Sequence, residues 1–291
     1  MQKTLFTGND INNIIPNNSW HDLLQDIVAF CEAGTLVTNF ENKPFPLLYE
    51  EIFLKSLKQK YRNERDLKSF IATKVSQING HDIHKRIRES GHSNIITTNY
   101  EFTLIGETPQ KNNAVISEKL YSVFRNYEKS GVKYWHIHGD CRNPASINLG
   151  FEHYGGQLQQ IRNYVVSGTN YTNKKLSKLP LIKRLETKKL NGESWIDLFF
   201  TTDVYIFGLA LDFVETDLWW LLTYRARQVL YKRHKSIKNK IYYFIPNEYL
   251  EKSRSKIDLL VANDVVVVDH FSGKDKALYY NNVLDFIAEK A

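Results

Sequence analysis

Short, almost continuously apolar runs recur along this chain, and segments with helical spacing lie between most of them. The runs are Lys3–Thr7, Asn94–Tyr100 (NIITTNY), Lys133–His138 (KYWHIH), Asp203–Leu209 (DVYIFGL), Ile241–Ile245 (IYYFI) and Val265–Val268 (VVVV). A strand of a parallel sheet is buried on both faces and is therefore apolar throughout, and the helices that connect such strands cover the sheet. The sequence therefore predicts an α/β fold with a parallel sheet between layers of helices.

The 291 residues fit one large domain with a smaller part inserted into it. We predict a Rossmann-like, doubly wound core formed by about residues 1–35, 91–150 and 196–291. Of the intervening stretches, about 36–90 has apolar residues at helical spacing, and about 151–195 lacks strong strand alternation. For these stretches we predict an inserted, smaller helical subdomain.

Composition narrows the class of protein. The chain is 42% hydrophobic and 13% aromatic, which is typical of a folded globular protein. Its two cysteines exclude a disulfide framework and a four-cysteine zinc ribbon within the chain, so we expect a reducing, cytoplasmic location. We expect neither a signal peptide nor a membrane span, because no apolar run approaches the roughly 20 residues that a bilayer requires.

The net charge of +7 suits a polyanionic ligand, but it does not separate a dinucleotide from nucleic acid or an acidic protein. The densest basic run extends from Arg225 to Lys240. Direct nucleic-acid binding through this run stays open, although a solvated helix end with its connecting loop is the simpler interpretation.

The first strand is followed by Gly8, Asn9 and Asp10 and then by a helix that Ser19 and Asp22 are expected to cap. A strand, a glycine loop and a helix N-terminus can bring backbone N–H groups to a diphosphate. Dinucleotide-binding loops often contain two or three glycines and this loop has one, so the pattern alone fits an ordinary turn equally well.

Polar residues end two of the other runs. Asn99 could hold a water or a ribose hydroxyl, or it could be an ordinary asparagine turn. His136 and His138 alternate and therefore point to opposite faces of their strand. We expect His138, beside Gly139, to face the same crevice as Asn99 and to act as a general base, with a core histidine as the alternative.

The string HIHGDC at 136–141 also resembles a metal-hydrolase pattern, to which His153 or His270 could add ligands. A metal-dependent hydrolase is therefore an alternative interpretation. Because His136 and His138 alternate on a strand, both could reach one metal only through an irregular loop, and we expect no metal.

Four motifs taken together, TGNDIN at 7–12, TTNYE at 97–101, HIHGD at 136–140 and FGLALD at 207–212, resemble the bacterial sirtuin-like family of antiphage defence effectors. IPNE at 245–248 and VVVVD at 265–269 resemble later strand ends of the same family. The resemblance follows the family's order and spacing and covers nearly the whole chain.

This resemblance implies a set of site residues. Asn99 and His138 would be catalytic, with Asn99 holding the water or ribose and His138 accepting a proton. The residues implied to bind NAD⁺ are Gly8, Asn9, Asn12, Thr98, Gly208, Asp212 and Asn247, the last at the adenosine ribose. Asp10 departs from the family, which usually has a second glycine there, and its carboxylate would repel a diphosphate unless it turns away.

The activity implied is hydrolysis of NAD⁺ to nicotinamide and ADP-ribose, with NAD⁺ as substrate and its depletion halting an infected cell. The missing zinc ribbon favours hydrolysis over protein deacylation. The resemblance further implies a homo-oligomer and control by a partner such as a DNA-translocating ATPase. A non-catalytic sensor of NAD⁺ or ADP-ribose is the alternative that uses the same fold.

Overall fold

A computed structural model describes residues 1–33, 40, 43–59, 63–168 and 178–290. At its centre lies one sheet, whose strands are β1 (Lys3–Thr7), β2 (Asn94–Thr97), β3 (Tyr127–Lys129), β4 (Val132–His136), β5 (Asp203–Phe207), β6 (Ile241–Phe244) and β7 (Val265–Val268). Their order is β3-β4-β2-β1-β5-β6-β7, and all neighbours pair in parallel except β3 and β4. The predicted α/β class with a mostly parallel sheet is confirmed.

The chain builds this sheet outward in both directions from β1. It first adds β2 and β4 on one side of β1, and then returns to add β5, β6 and β7 on the other. When the antiparallel β3 is set aside, this is the order of a doubly wound, Rossmann-like sheet. The order reverses between β1 and β5, and in such sheets the crevice at the carboxyl ends of the reversing strands is where ligands bind.

Helices cover both faces of the sheet. They are α1 (Trp20–Phe30), α2 (Phe45–Gln59), α3 (Glu64–Val75), α4 (Asp82–Glu89), α5 (Phe151–Arg162), α6 (Leu181–Glu186), α7 (Trp195–Thr201), α8 (Thr216–Ala226), α9 (Arg254–Ala262) and α10 (Lys276–Glu289). Successive residues of a strand face opposite sides of the sheet and belong to two different hydrophobic cores. Phe6 packs with α7 and α8, whereas Leu5 packs with α4 and α10. Within the described ranges, none of the helices combines the length and the apolar composition that a membrane span requires.

The regions predicted as insertions are helical where they are described. Helices α2 and α3 share a third core cluster with α1 and with Tyr100, Ile147 and Leu149. By contrast, α4 packs on the sheet through Ile83 and Ile87. The predicted subdomain stays a prediction, and residues 36–39, 41–42, 60–62 and 169–177 of these regions lie outside the described residues.

Strand β3 was not predicted. It forms a hairpin with β4 through Ser130 and Gly131, whose φ angles of 51° and 78° give the left-handed geometry of a tight hairpin turn. The hairpin pairs the outer side of β4, which would otherwise be a sheet edge close to the polar strand ends.

Candidate active site

Two glycines touch at the point where the strand order reverses. A Cβ on Gly8 would lie 2.5 Å from the carbonyl oxygen of Gly208 and 2.6 Å from Cα of Leu209, so only glycine fits after β1. Gly208 has a φ of +64°, which also favours glycine. The loops after β1 and β5 are therefore in direct backbone contact.

This contact uses the backbone donors that were expected to meet a diphosphate. The N–H of Gly8 donates to the carbonyl of Phe207 at 3.2 Å, and the N–H of Asp10 donates to the carbonyl of Gly208 at 2.9 Å. Ser19 and Asp22 form a reciprocal capping box at the start of α1. The N–H groups of Gly8, Asp10, Ser19 and Asp22 are thus already paired within the protein, and the side-chain amides of Asn9 and Asn12 are paired as well.

Asp10 is turned toward α10. Its Oδ1 accepts a hydrogen bond from Nζ of Lys276 at 2.6 Å, and its Oδ2 accepts one from the hydroxyl of Tyr280 at 2.5 Å. The carboxylate at the position where the family has a second glycine is therefore paired with a cation rather than left bare.

A cavity of about 250 Å³ lies at these strand ends. It brings together five of the residues expected from the sequence, namely Asn9, Thr98, His138, Gly208 and Asp212. Its apolar wall includes Trp20, Phe45, Tyr100, Leu149 and Tyr154. The cavity is large enough to enclose part of a dinucleotide rather than the whole molecule.

His138 is paired with a residue that the sequence analysis missed. Its Nε2 lies 2.9 Å from Oδ2 of Asp217 in the first turn of α8, and the two side chains are 2% and 0% exposed. Burial on its own lowers the pKa of His138, but the charge and hydrogen bond of Asp217, with a further contribution from Glu215, raise it above the ordinary histidine value. The pair makes His138 a stronger base with a fixed orientation.

Glu215 gives the cavity a second titratable group. Its Oε2 accepts a hydrogen bond from the N–H of Asp212 at 2.8 Å, and burial raises the pKa of Glu215 to about 7. With Asp10 and Asp212 it makes an acidic wall, and among the described residues no lysine or arginine lines the cavity. This wall suits a ligand part that carries or develops positive charge.

Asn99 is buried behind the cavity rather than lining it. Its Nδ2 donates to Oε1 of Glu101 at 3.2 Å, its carbonyl accepts from Nδ1 of His136 at 2.9 Å, and its Oδ1 has no partner. Glu101 lines an adjoining cavity of about 300 Å³, which shares Asn9, Trp20 and Tyr100 with the first. Asn99 therefore reaches this region through Glu101.

Three other expected residues do not line the cavity of His138. Gly8 lies beneath it in the contact with Gly208, and Asn12 is buried behind Asn9. Asn247 is exposed on a short 3-10 turn after β6, at the carboxyl ends of the strands. Its N–H donates to the carbonyl of Phe271. The structure thus does not bring these three residues into the cavity of His138.

His136 and His138 point to different surroundings, as their alternation predicts. His136 packs against Phe102 and Tyr127, whereas His138 packs against Tyr154. Asp140 binds the hydroxyl of Tyr127 and the N–H groups of the turn that follows it. Within the described ranges, no group of three histidine, cysteine, aspartate or glutamate side chains could hold a metal ion.

Fold and site together define a doubly wound α/β protein with a buried histidine–carboxylate pair at its strand-order reversal. A scan of the chain against protein-family models and a search among curated proteins found no match. The resemblance to sirtuin-like effectors therefore rests on the sequence motifs alone.

Proposed function

We propose that this chain is an NAD⁺ glycohydrolase, which cleaves NAD⁺ to nicotinamide and ADP-ribose. The observation that carries the proposal is the His138–Asp217 pair, buried in a cavity at the crevice where doubly wound folds bind nucleotides. The ordered motifs that resemble sirtuin-like effectors supply the choice of NAD⁺.

In the proposed reaction the bond between the anomeric carbon and the pyridinium nitrogen breaks, and its electron pair neutralises the leaving nicotinamide. Positive charge then develops on the ribose, as in other glycosyl transfers. Asp212 and Glu215 on the cavity wall favour this charge electrostatically, whereas Asp10 is paired with Lys276. The acidic wall therefore lowers the barrier to departure of nicotinamide.

Water completes the reaction at the anomeric carbon, and His138 accepts its proton. Because Asp217 holds Nε2, the nitrogen left to take this proton is Nδ1. Asn99, through its hydrogen bond to Glu101, orients the water or the ribose. Aromatic and aliphatic side chains on the wall limit the entry of other nucleophiles.

We further propose, from the resemblance, that NAD⁺ depletion serves antiphage defence in the cytoplasm, within a homo-oligomer or under the control of a partner ATPase. Lys276 and Lys256 bind the loops at the cavity wall, Lys276 through Asp10 and Lys256 through the carbonyl of Ala210 at 2.6 Å. These two cations are the candidate counter-charges for a diphosphate that extends out of the cavity.

The test is to incubate purified protein with NAD⁺, with and without a chelator, and to follow nicotinamide and ADP-ribose by chromatography. Asn99→Ala and His138→Ala are compared with His234→Ala as a control. His234 precedes β6 and therefore lies on the side of its amino end, away from the carboxyl ends of the strands. We expect chelator-resistant cleavage that both site variants lose and the control keeps.

Each other outcome has a separate meaning. Cleavage that a chelator abolishes would favour the metal-hydrolase alternative. Nicotinamide release that requires an acylated lysine peptide would indicate deacylation. NAD⁺ binding by calorimetry without cleavage, under all conditions of oligomerisation and added nucleic acid, would contradict the hydrolase proposal and favour a sensor.

A further inference from the structure

A buried histidine outside both cavities is connected to the candidate site by side-chain hydrogen bonds. His84, in the first turn of α4, is 0% exposed and lines neither cavity. Its Nδ1 accepts a hydrogen bond from the backbone N–H of His81 at 3.2 Å, and its Nε2 lies 3.0 Å from Oδ1 of Asn12. The ring therefore bridges the start of α4 and the loop after β1.

These partners fix the protonation of the ring. Since Nδ1 accepts a backbone N–H, the proton of the neutral imidazole is on Nε2 and donates to Asn12. Burial, with smaller effects of His81 and Arg88, lowers the pKa of His84 to about 3, so the ring stays neutral at physiological pH. His84 is a fixed hydrogen-bond donor rather than a titrating group.

A fixed donor orients the Asn12 amide. With its oxygen bound to His84, Asn12 directs Nδ2 to Oδ1 of Asn9 at 2.8 Å and to Oε1 of Glu101 at 3.0 Å. Both amide hydrogens are thereby used. An Asn12 amide that rotated by half a turn would present its oxygen to two acceptors and lose both hydrogen bonds.

The two acceptors are the residues through which the network reaches the cavities. Asn9 lines both of them, and its Nδ2 donates to the carbonyl of Asn18 at 2.9 Å. Glu101 lines the second, and its Oε1 also accepts from Asn99 and Thr103.

We propose that His84 is a positioning residue, which orients Asn9, Glu101 and Asn99 for the substrate through the Asn12 amide without contacting the substrate itself. The kinetic part of this inference rests on the proposed NAD⁺ hydrolysis. The structural part, the control of the Asn12 amide by the Nε2–H of His84, does not depend on the identity of the ligand.

Two substitutions separate positioning from packing. In His84→Gln the side-chain amide can donate from about the place of Nε2, whereas His84→Phe keeps a ring and removes the donor. We expect His84→Phe to lower kcat for NAD⁺ cleavage by about 10- to 100-fold, since small displacements of orienting groups have effects of this size, and His84→Gln to restore most of it. His92→Phe, at a partly buried histidine beyond α4, is the matched control and should be silent.

A double variant tests whether His84 acts through Asn12. If His84 acts through Asn12, His84→Phe combined with Asn12→Ala should be no slower than Asn12→Ala alone. Losses of kcat that multiply in the double variant would contradict the route. A loss in His84→Gln equal to that in His84→Phe, at unchanged thermal midpoints, would contradict the role of the donor.

Nitrogen-15 NMR gives a readout without substrate. We expect a neutral imidazole protonated on Nε2 in His84, and side-chain amide resonances of Asn12 and Asn99 that shift in His84→Phe and return in His84→Gln. A charged ring, a proton on Nδ1 or unmoved amide resonances would overturn the inference. If the wild-type protein does not cleave NAD⁺, the proposed function fails while these spectra still decide the role of His84.

Discussion

Nε2 of His138 lies 2.9 Å from Oδ2 of Asp217, although 79 positions separate the two residues along the chain. Both side chains are almost fully buried, and Asp217 has its second oxygen, Oδ1, without a partner. A carboxylate held on one nitrogen of a histidine selects the tautomer, stabilises the charged ring and leaves the other nitrogen as the proton acceptor. Experiments on the protonation state of His138 therefore test this pairing most directly.

The rate of the proposed NAD⁺ cleavage should fall on the acid side of the pH profile, because a base must be unprotonated to accept a proton. Since Asp217 raises the pKa of His138 above the ordinary value near 6.5, we expect the acidic limb of kcat/KM at a pH above 6.5. In Asp217→Asn this limb should move to lower pH, and kcat should fall by about 10²- to 10⁴-fold because the ring loses its orientation. A pH–rate profile in which the limb stays in place would contradict the pairing.

The free energy of unfolding should decrease between pH 5 and pH 8. Glu215 has a pKa of about 7 in the folded protein against 4.5 when unperturbed, and that of His138 is also raised, so the folded state binds both protons more tightly. The stabilisation is present below the unfolded pKa values and is lost as the pH rises through the folded ones. Urea unfolding of Glu215→Gln should show a smaller decrease over this range, and an equal decrease would exclude Glu215 as a contributor.

Lys276 should influence substrate binding through Asp10. The ion pair is partly exposed, so we expect Lys276→Gln to weaken binding of ADP-ribose by about fivefold, equivalent to about 1 kcal/mol, as the unpaired carboxylate repels the diphosphate. Asp10→Asn in the same protein should restore affinity, because the repelling charge is gone. Calorimetry checks both variants, and equal weakening in the double variant would mean that Lys276 acts on its own.

Gly8 should not tolerate a methyl group. Gly8→Ala would place Cβ against the backbone of Gly208 and Leu209, and we expect a loss of about 1–3 kcal/mol of stability together with lower activity. Gly155→Ala is the matched control, since it lies exposed in α5 with no atom within 4 Å of the added Cβ, and should stabilise the helix by about 0.5–1 kcal/mol. Similar melting temperatures for the two variants would contradict the close contact of the loops.

Local sequence patterns were sufficient for most of the sheet. Strands β1 and β7 were predicted with their observed ends, because β7 is a run of four valines between two aspartates and β1 is a short run around Leu5 and Phe6 that ends at Gly8. Strand β3 was missed because three residues, of which only Tyr127 is buried, give too short a pattern. The signal that could have found it is the Ser130–Gly131 pair directly before the run that became β4.

The site was less accessible to sequence reasoning because its key interactions join distant segments. His138 could be selected from its place at a strand end, but nothing near it in the chain identifies Asp217 as its partner. The same holds for His84 and Asn12, which are separated by 72 positions. One sequence pattern could have identified Asp217 as a candidate partner of His138. It is an acidic residue in the first turn of a helix with an apolar face, here α8.

The contact between the loops after β1 and β5 also constrains how such a chain can diverge. The N–H groups of Gly8 and Asp10 donate to the carbonyls of Phe207 and Gly208, so the backbone path of each loop depends on that of the other. An insertion in one loop would shift the register of both, and a larger residue in one requires retreat of the other. The lengths and small residues of these two loops are therefore expected to be inherited together, as a single unit made from two distant parts of the gene.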